Sequence, residues 1–212
     1  SGGRTSIDAM FDEFTPLSRS PYFKTLEDGT TRHVTDITGD EAVSFIRRQT
    51  NESPFCLSVS FNAGHAEDGD LDDHYPAPPS ESGLHAGVTM PRPRLDDASI
   101  FDAQPAFLRQ SMNRDRFHWR WDQAEKYDRN LRGYFRMLAS LDRNIGRVFD
   151  ALDLTGLAEN TIVIFVGDNG YYMGERGFAG KWSHYEESLR VPLVIFDPRL
   201  PESSAGRVLT ET

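Results

Sequence analysis

The stretch that decides the fold runs Thr161-Ile162-Val163-Ile164-Phe165-Val166-Gly167-Asp168-Asn169-Gly170. Six β-branched or aromatic residues in succession, with no polar alternation, suit a strand covered on both faces, because successive side chains point to opposite sides of a sheet. Strands of that kind belong to parallel sheets flanked by helices. The run ends in Gly-Asp-Asn-Gly, which is turn chemistry, so Asp168 and Asn169 stand beyond the strand's carboxyl end. Upstream, Tyr127, Leu131, Tyr134, Phe135, Leu138, Leu141, Ile145, Val148 and Phe149 recur at spacings of three and four, which predicts one long amphipathic helix over 122–152. Leu154-Thr155-Gly156-Leu157 stops it. Downstream, Val191-Pro192-Leu193-Val194-Ile195-Phe196 repeats the apolar strand pattern. The helix-then-strand order predicts an α/β layered domain.

Toward the amino end, Ala42, Val43, Phe45 and Ile46 share one face behind Gly39-Asp40, predicting a helix over 40–49. Phe55-Cys56-Leu57-Ser58-Val59-Ser60-Phe61, with turn residues on both sides, reads as a buried strand leading to Asn62-Ala63-Gly64-His65. Residues 66 to about 115 hold many of the prolines, several acids and little periodicity, so they predict a long excursion over a surface. There is no internal repeat and no low-complexity tract, and 1–212 reads as a single domain.

The 212 residues carry 23 Lys+Arg against 33 Asp+Glu, a net charge of −10, which argues against nucleic acid as the main partner. Hydrophobic residues at 38% are enough for a packed core. No run approaches the ~20 apolar residues of a membrane-crossing helix, and residues 1–20 lack a basic segment followed by an apolar one. Cys56 is the single cysteine, so no internal disulfide and no multi-Cys metal knot can form.

Ligands of open α/β sheets gather beyond the carboxyl ends of strands. Asp168 and Asn169 stand there with a carboxylate and an amide carbonyl, hard donors suited to Ca2+ or Mg2+, and they are equally good turn residues. In Gly174-Glu175-Arg176-Gly177-Phe178-Ala179-Gly180-Lys181-Trp182, three glycines allow close backbone approach, and the Lys181 ammonium suits an oxyanion; a mobile surface loop with a solvated lysine is the other reading. Glu67, Asp68, Asp70, Asp72 and Asp73 look like a calcium loop, but Pro79 stands where an EF-hand needs its Glu, so a solvated acidic loop is expected. His74 and His85 are expected at the surface. His33, His118 and His184 are expected to be structural, Arg190 to pair with Glu186 or Glu187, and Tyr171 and Tyr172 to pack, with walling a pocket as their other reading.

From Ile162 to Leu193 the order is strand, Asp-Asn-Gly, Gly-Glu-x-Gly, Gly-Lys-Trp, then Tyr-Glu-Glu-Ser-x-Arg-Val-Pro-Leu. This order resembles the sulfatase family of the alkaline-phosphatase-like superfamily. His33-Val34-Thr35-Asp36 and Ser60-Phe61-Asn62-Ala63-Gly64-His65 extend the resemblance over roughly residues 20–200 in element order. It implies a three-layer α/β/α sandwich, here with an incomplete central sheet, and hydrolysis of a sulfate ester. It further implies that Asp168 and Asn169 are ligands of a Ca2+ that polarises the ester, that Lys181 holds a sulfate oxygen, and that His65 contacts the sulfate or assists the leaving oxygen. The implied ligand is a sulfated small molecule or polysaccharide, and the implied compartment periplasmic or extracellular.

The family's nucleophile is a formylglycine made from Cys or Ser in a Cys/Ser-x-Pro/Ala-x-Arg motif. Cys56 does not meet it, since Ser58 and Ser60 occupy the positions of Pro/Ala and Arg. The family's Asp-Asp pair and its Gly-Lys-Trp-His segment are missing as well. The expectation is a chain truncated at both ends, with half a metal site, no nucleophile, weak or no Ca2+ binding and no turnover. Two alternatives stay open: a phosphoryl or phosphonate ester hydrolase of the same superfamily, and a catalytically inactive module that binds sulfated ligands. Trp182 and the Tyr-Glu-Glu-Ser block favour the sulfatase.

Overall fold

The structure is a computed structural model and describes residues 9–208. Its frame is a pair of packed helices, α1 (Val34–Arg47) and the long helix Ala124–Leu154. Helix α1 begins six residues before the expected Asp40, because His33 caps it: Nδ1 accepts from Thr35 N at 3.2 Å while Nε2 donates to the Pro76 carbonyl at 2.9 Å. Both ring nitrogens are satisfied, and burial lowers the pKa of this imidazole. Gly39 is therefore no cap. It lies inside the helix where Asn144 of the long helix crosses, and a Cβ there would come within 2.2 Å of Asn144 Oδ1. Asp36, in the first turn, accepts from Asn144 Nδ2 at 2.8 Å and Arg143 Nη2 at 2.9 Å, and so locks the two helices together.

The long helix ends where the sequence placed its stop. Gly156 takes φ +71°, its N–H reaches the Asp153 carbonyl, and Leu157 N–H returns to the Leu152 carbonyl at 2.9 Å. This crossed pair of bonds satisfies carbonyls that a helix end leaves open. Leu157 also packs with Leu152, Ala151, Val43 and Ile46 in one buried cluster, where each large aliphatic side chain contributes about 1.5–3 kcal/mol. A second cluster joins Tyr22, Val34, Tyr75, Trp121, Tyr127 and Met137.

Three two-stranded antiparallel ribbons complete the described residues: β1 (Phe23–Thr25) with β2 (Thr31–His33), β3 (Val163–Val166) with β6 (Leu193–Phe196), and β4 (Tyr172–Met173) with β5 (Ala179–Gly180). The two apolar runs are strands, as expected, but not parallel and not buried. They pair antiparallel, Val163 opposite Phe196 and Val166 opposite Leu193, and Ile164 and Leu193 are 60% and 61% exposed. Among the described residues cover comes from the long helix, whose Phe149 meets the edge of Phe196 at 6.1 Å between ring centroids. The two-sided apolar pattern is thus met on one side only.

Residues 55–61 form no strand. They have no ladder partner; Phe55 and Leu57 pack on the cluster of Leu157, Leu152, Val43 and Ile46, and Cys56 is exposed rather than buried. The 66–115 excursion is also more ordered than expected. It contains α2 (Ala98–Asp102), α3 (Ala106–Arg109) and the start of α4 (Met112–Arg120), and it sends Tyr75, Met90 and Leu108 into the core. In the same numbering the long helix is α5, and Glu186–Leu189 is α6. His74, expected at the surface, is 0% exposed, with Nδ1 near the Glu67 carbonyl at 3.2 Å.

Candidate functional site

Strand β3 delivers Gly167-Asp168-Asn169-Gly170 to a place where the backbone passes close to α6. Gly170 N–H donates to the Ser188 carbonyl at 2.9 Å, and a Cβ on Gly170 would sit 2.4 Å from the Glu187 carbonyl. A larger residue has no room there, so the glycine of Asp-Asn-Gly serves close approach. Asp168 is exposed. Asn169 is half-buried, its Nδ2 donates to the Gly170 carbonyl at 2.8 Å, and its Oδ1 accepts from Lys181 Nζ at 2.7 Å. The solvated-loop reading of Lys181 therefore fails: its ammonium is tied to the tip of β3.

Lys181 is aimed by β5. Gly180 takes φ +97°, and a Cβ there would lie 3.1 Å from Asn113 Oδ1 and 3.6 Å from the Arg116 side chain, so the strand lies hard against α4. His65 approaches from the other side, and Arg19 Nη1 lies 2.6 Å from its Nδ1. Nδ1 also lies 2.8 Å from the Ala66 carbonyl, so its two neighbours, a guanidinium donor and a carbonyl acceptor, call for opposite tautomers of the neutral ring. Burial is the main cause that lowers the His65 pKa, and the charges of Arg19 and Lys181 add to it. The imidazole is held neutral beside two cations.

Between these groups lies an arrangement that the sequence reading missed. Asp68, assigned there to a solvated acidic loop, pairs with Arg120, whose side chain is 1% exposed, and has Arg116 and Arg19 at 3.7 and 3.9 Å. Burial raises the Asp68 carboxyl, but Arg120 and then Arg116 prevail and hold it below its usual range. Arg120 Nη1 also donates to Tyr171 Oη at 2.9 Å. Tyr171 walls an open cleft of about 720 Å³ that Tyr134, Asn169, Glu187 and Arg190 also line. The available signal was Arg116 and Arg120 at helical spacing, in a segment without apolar periodicity to announce a helix. Arg190 does not take the partner expected for it: Glu187 pairs with Arg176 at 3.3 Å.

The donor set fits a hard cation in kind and falls short in number. Asp168 and Asn169 offer two side chains, with three oxygens at most, where Ca2+ takes six to eight, and the Asn169 oxygen is engaged by Lys181. Among the described residues no group of three or more His, Cys, Asp or Glu is placed to hold a metal ion. The nucleophile expectation needs one correction. Ser203-Ser204-Ala205-Gly206-Arg207 does match Ser-x-Ala-x-Arg, but it forms an exposed turn after β6, and no hydrogen bond joins it to His65, Lys181, Asp168 or Asn169. No helix among the described residues is long and apolar enough to cross a membrane.

Comparison with known proteins bears on this geometry. The sulfatase family model matches residues 5–210. An arylsulfatase of Volvox carteri is 30% identical, over 97% of this chain and 34% of its own length. A choline-sulfatase of Rhizobium meliloti is 30% identical over 78% of this chain and 31% of its own; an N-acetylglucosamine-6-O-sulfatase of Bacteroides thetaiotaomicron is 25% identical over 79% and 38%. The chain thus spans 31–38% of the length of these relatives. A phosphonate monoester hydrolase from Silicibacter pomeroyi superposes with a TM-score of 0.66 at 20% identity, covering 92% of this chain and 41% of that one. A protein solved in complex with its substrate D-glucosamine-2-N,6-O-disulfate superposes with a TM-score of 0.61 at 21% identity, covering 85% and 48%. Both likenesses show the alkaline-phosphatase-like α/β fold, of which the described ribbons and helices form an incomplete part. With the family's signatures running from β3 to β6 and its model spanning nearly the whole sequence, the chain belongs to the sulfatase family.

Proposed function

We propose that this chain carries the sulfate-holding half of a sulfate-ester hydrolase site, with a sulfated saccharide as its ligand. The observation that carries the reading is the Lys181–Asn169 bond at 2.7 Å beside a neutral His65. It keeps an ammonium at the carboxyl end of β3, available to turn from an amide oxygen to a sulfate oxygen. Lys181 binds and offsets the charge of the sulfate, while His65 Nε2–H donates to a second oxygen or to the bridging ester oxygen as charge builds there. Preorganised donors of this kind contribute most where charge develops. Arg19 and the Ala66 carbonyl both engage Nδ1, so Nε2 is the ring nitrogen left for the ligand, and this role requires the Nε2–H tautomer.

Asp168 and Asn169 are proposed as two of the ligands of the family's Ca2+, which when bound would polarise the sulfate ester. Two side chains hold such an ion weakly, so the isolated chain is expected to bind Ca2+ weakly or not at all. The attacking group is proposed to be a formylglycine, and Ser203 is not placed to supply it, so this chain alone is expected not to turn over an aryl sulfate. Calorimetric titration with N-acetylglucosamine 6-sulfate tests the anion site. Binding that is lost in Lys181→Ala supports it, and equal binding by both proteins overturns it.

A further inference from the structure

Three guanidinium groups, Arg19, Arg116 and Arg120, converge on the single carboxylate of Asp68, directly beside the pair proposed to hold sulfate. Only Arg120 makes a close pair with it. Arg19 and Arg116 stand at 3.9 and 3.7 Å, beyond hydrogen-bond reach. Glu67, next in sequence, is engaged by Ser20 Oγ at 2.6 Å. The Nε–H groups of all three arginines are buried and lack an acceptor, including that of Arg120, which is 1% exposed. Buried donors left without partners are costly. A chain of net charge −10 has thus gathered an excess of positive charge at one place.

That place is continuous with the proposed sulfate site on both sides. Arg19 is hydrogen-bonded to His65. Arg116 lies against Gly180, and its guanidinium sits 4.3 Å over the indole of Trp182, the residue after Lys181. Trp182 takes φ +75° and is 62% exposed. A left-handed tryptophan is strained and persists only where surroundings hold it. Arg116 covers one face of the ring and leaves an aromatic platform open to solvent beside a cation.

We propose that Arg19 and Arg116, with Trp182 as platform, form a second anion subsite, so that the ligand of this protein is a saccharide bearing two sulfate groups rather than one. Separated guanidinium donors approaching from different elements suit a three-oxygen anion, while Asp68 is held through a single nitrogen of Arg120, whose other terminal nitrogen goes to Tyr171. The pyranose ring stacks on Trp182 between the two anions. This rests on the sulfate site proposed above.

The test is calorimetric titration of the whole chain with D-glucosamine-2-N,6-O-disulfate and with N-acetylglucosamine 6-sulfate, which carries a neutral amide in place of the second anion. The disulfate is expected to bind about tenfold tighter or more. Arg116→Gln is expected to bring the two sugars within about threefold of each other while binding of the singly sulfated sugar persists; Arg116→Lys restores part of the difference. Equal affinity of the two sugars for the wild type, or variants that weaken both alike, overturns the second subsite and leaves the first standing. If wild type binds neither sugar, or Lys181→Ala changes neither, the sulfate site itself is wrong and the second subsite falls with it.

Discussion

Lys181 Nζ donates to Asn169 Oδ1 at 2.7 Å, and this one bond ties the β5 strand to the turn after β3 across 12 positions of sequence. The free protein gives this bond up when the ammonium turns to sulfate. Asn169→Ala is therefore expected to tighten binding of N-acetylglucosamine 6-sulfate by up to about tenfold, in line with the ~1.5–3 kcal/mol of a hydrogen bond to a charged group discounted for partial exposure. Its unfolding midpoint should stay close to wild type. Unchanged or weaker affinity would show that binding does not draw Lys181 away from this bond.

The buried histidines set the acid side of the stability profile. His33, His65 and His74 all have pKa values lowered, burial being the first cause in each. A group whose folded pKa is depressed contributes stability above its unfolded value, about 6.5 for histidine, and loses it as pH falls through the folded value. Asp73 and Glu175, raised by burial, act in the opposite sense and nearer the carboxylate range. Urea denaturation is therefore expected to show falling stability from pH 7 toward pH 5. A flat or rising profile over that window contradicts the burial of these rings.

Two glycines of the helix pair separate packing from propensity. Gly39→Ala drives a methyl group into Asn144 and is expected to destabilise the chain by about 1–3 kcal/mol. Gly146, on the long helix, has open space around its Cβ position, so Gly146→Ala is expected to stabilise by about 0.5–1 kcal/mol. Denaturant midpoints measure both, and similar effects of the two changes would contradict the close crossing at Gly39.

The β3–β6 ribbon presents Ile164, Val166, Leu193 and Ile195 to solvent, each 59–61% exposed. An apolar patch of this kind binds hydrophobic dyes. Ile164→Thr with Leu193→Thr keeps strand propensity and is expected to cut dye fluorescence by more than half. Undiminished fluorescence would place the dye site elsewhere.

Elements whose signal is local were legible from sequence, and those set by distant partners were not. The long helix could be read because its apolar residues repeat every three or four positions and Gly156 ends it with a left-handed turn. β3 and β6 were visible as strands, but their antiparallel pairing and exposure depend on what covers them, which a hydrophobic run does not encode. The start of α1 was misplaced because a histidine caps it, and Gly39 looked like a boundary when it marks a helix crossing. Cys56 looked buried because it stands in an apolar run, yet that run has no strand partner. Lys181, Asn169 and His65 were identified as candidates from short signatures. Asp68 and its three arginines were not, because they come from segments far apart in sequence and their meaning lies in the convergence.

The central claim is that the Lys181 ammonium leaves Asn169 for a sulfate oxygen. Nitrogen-15 NMR of the lysine side chains follows this directly, with the Lys181 signal assigned by its loss in Lys181→Ala. Titration with D-glucosamine-2-N,6-O-disulfate is expected to shift that signal progressively to saturation, while the other lysine signals hold still. A stationary Lys181 signal at sugar concentrations that saturate binding would contradict the account.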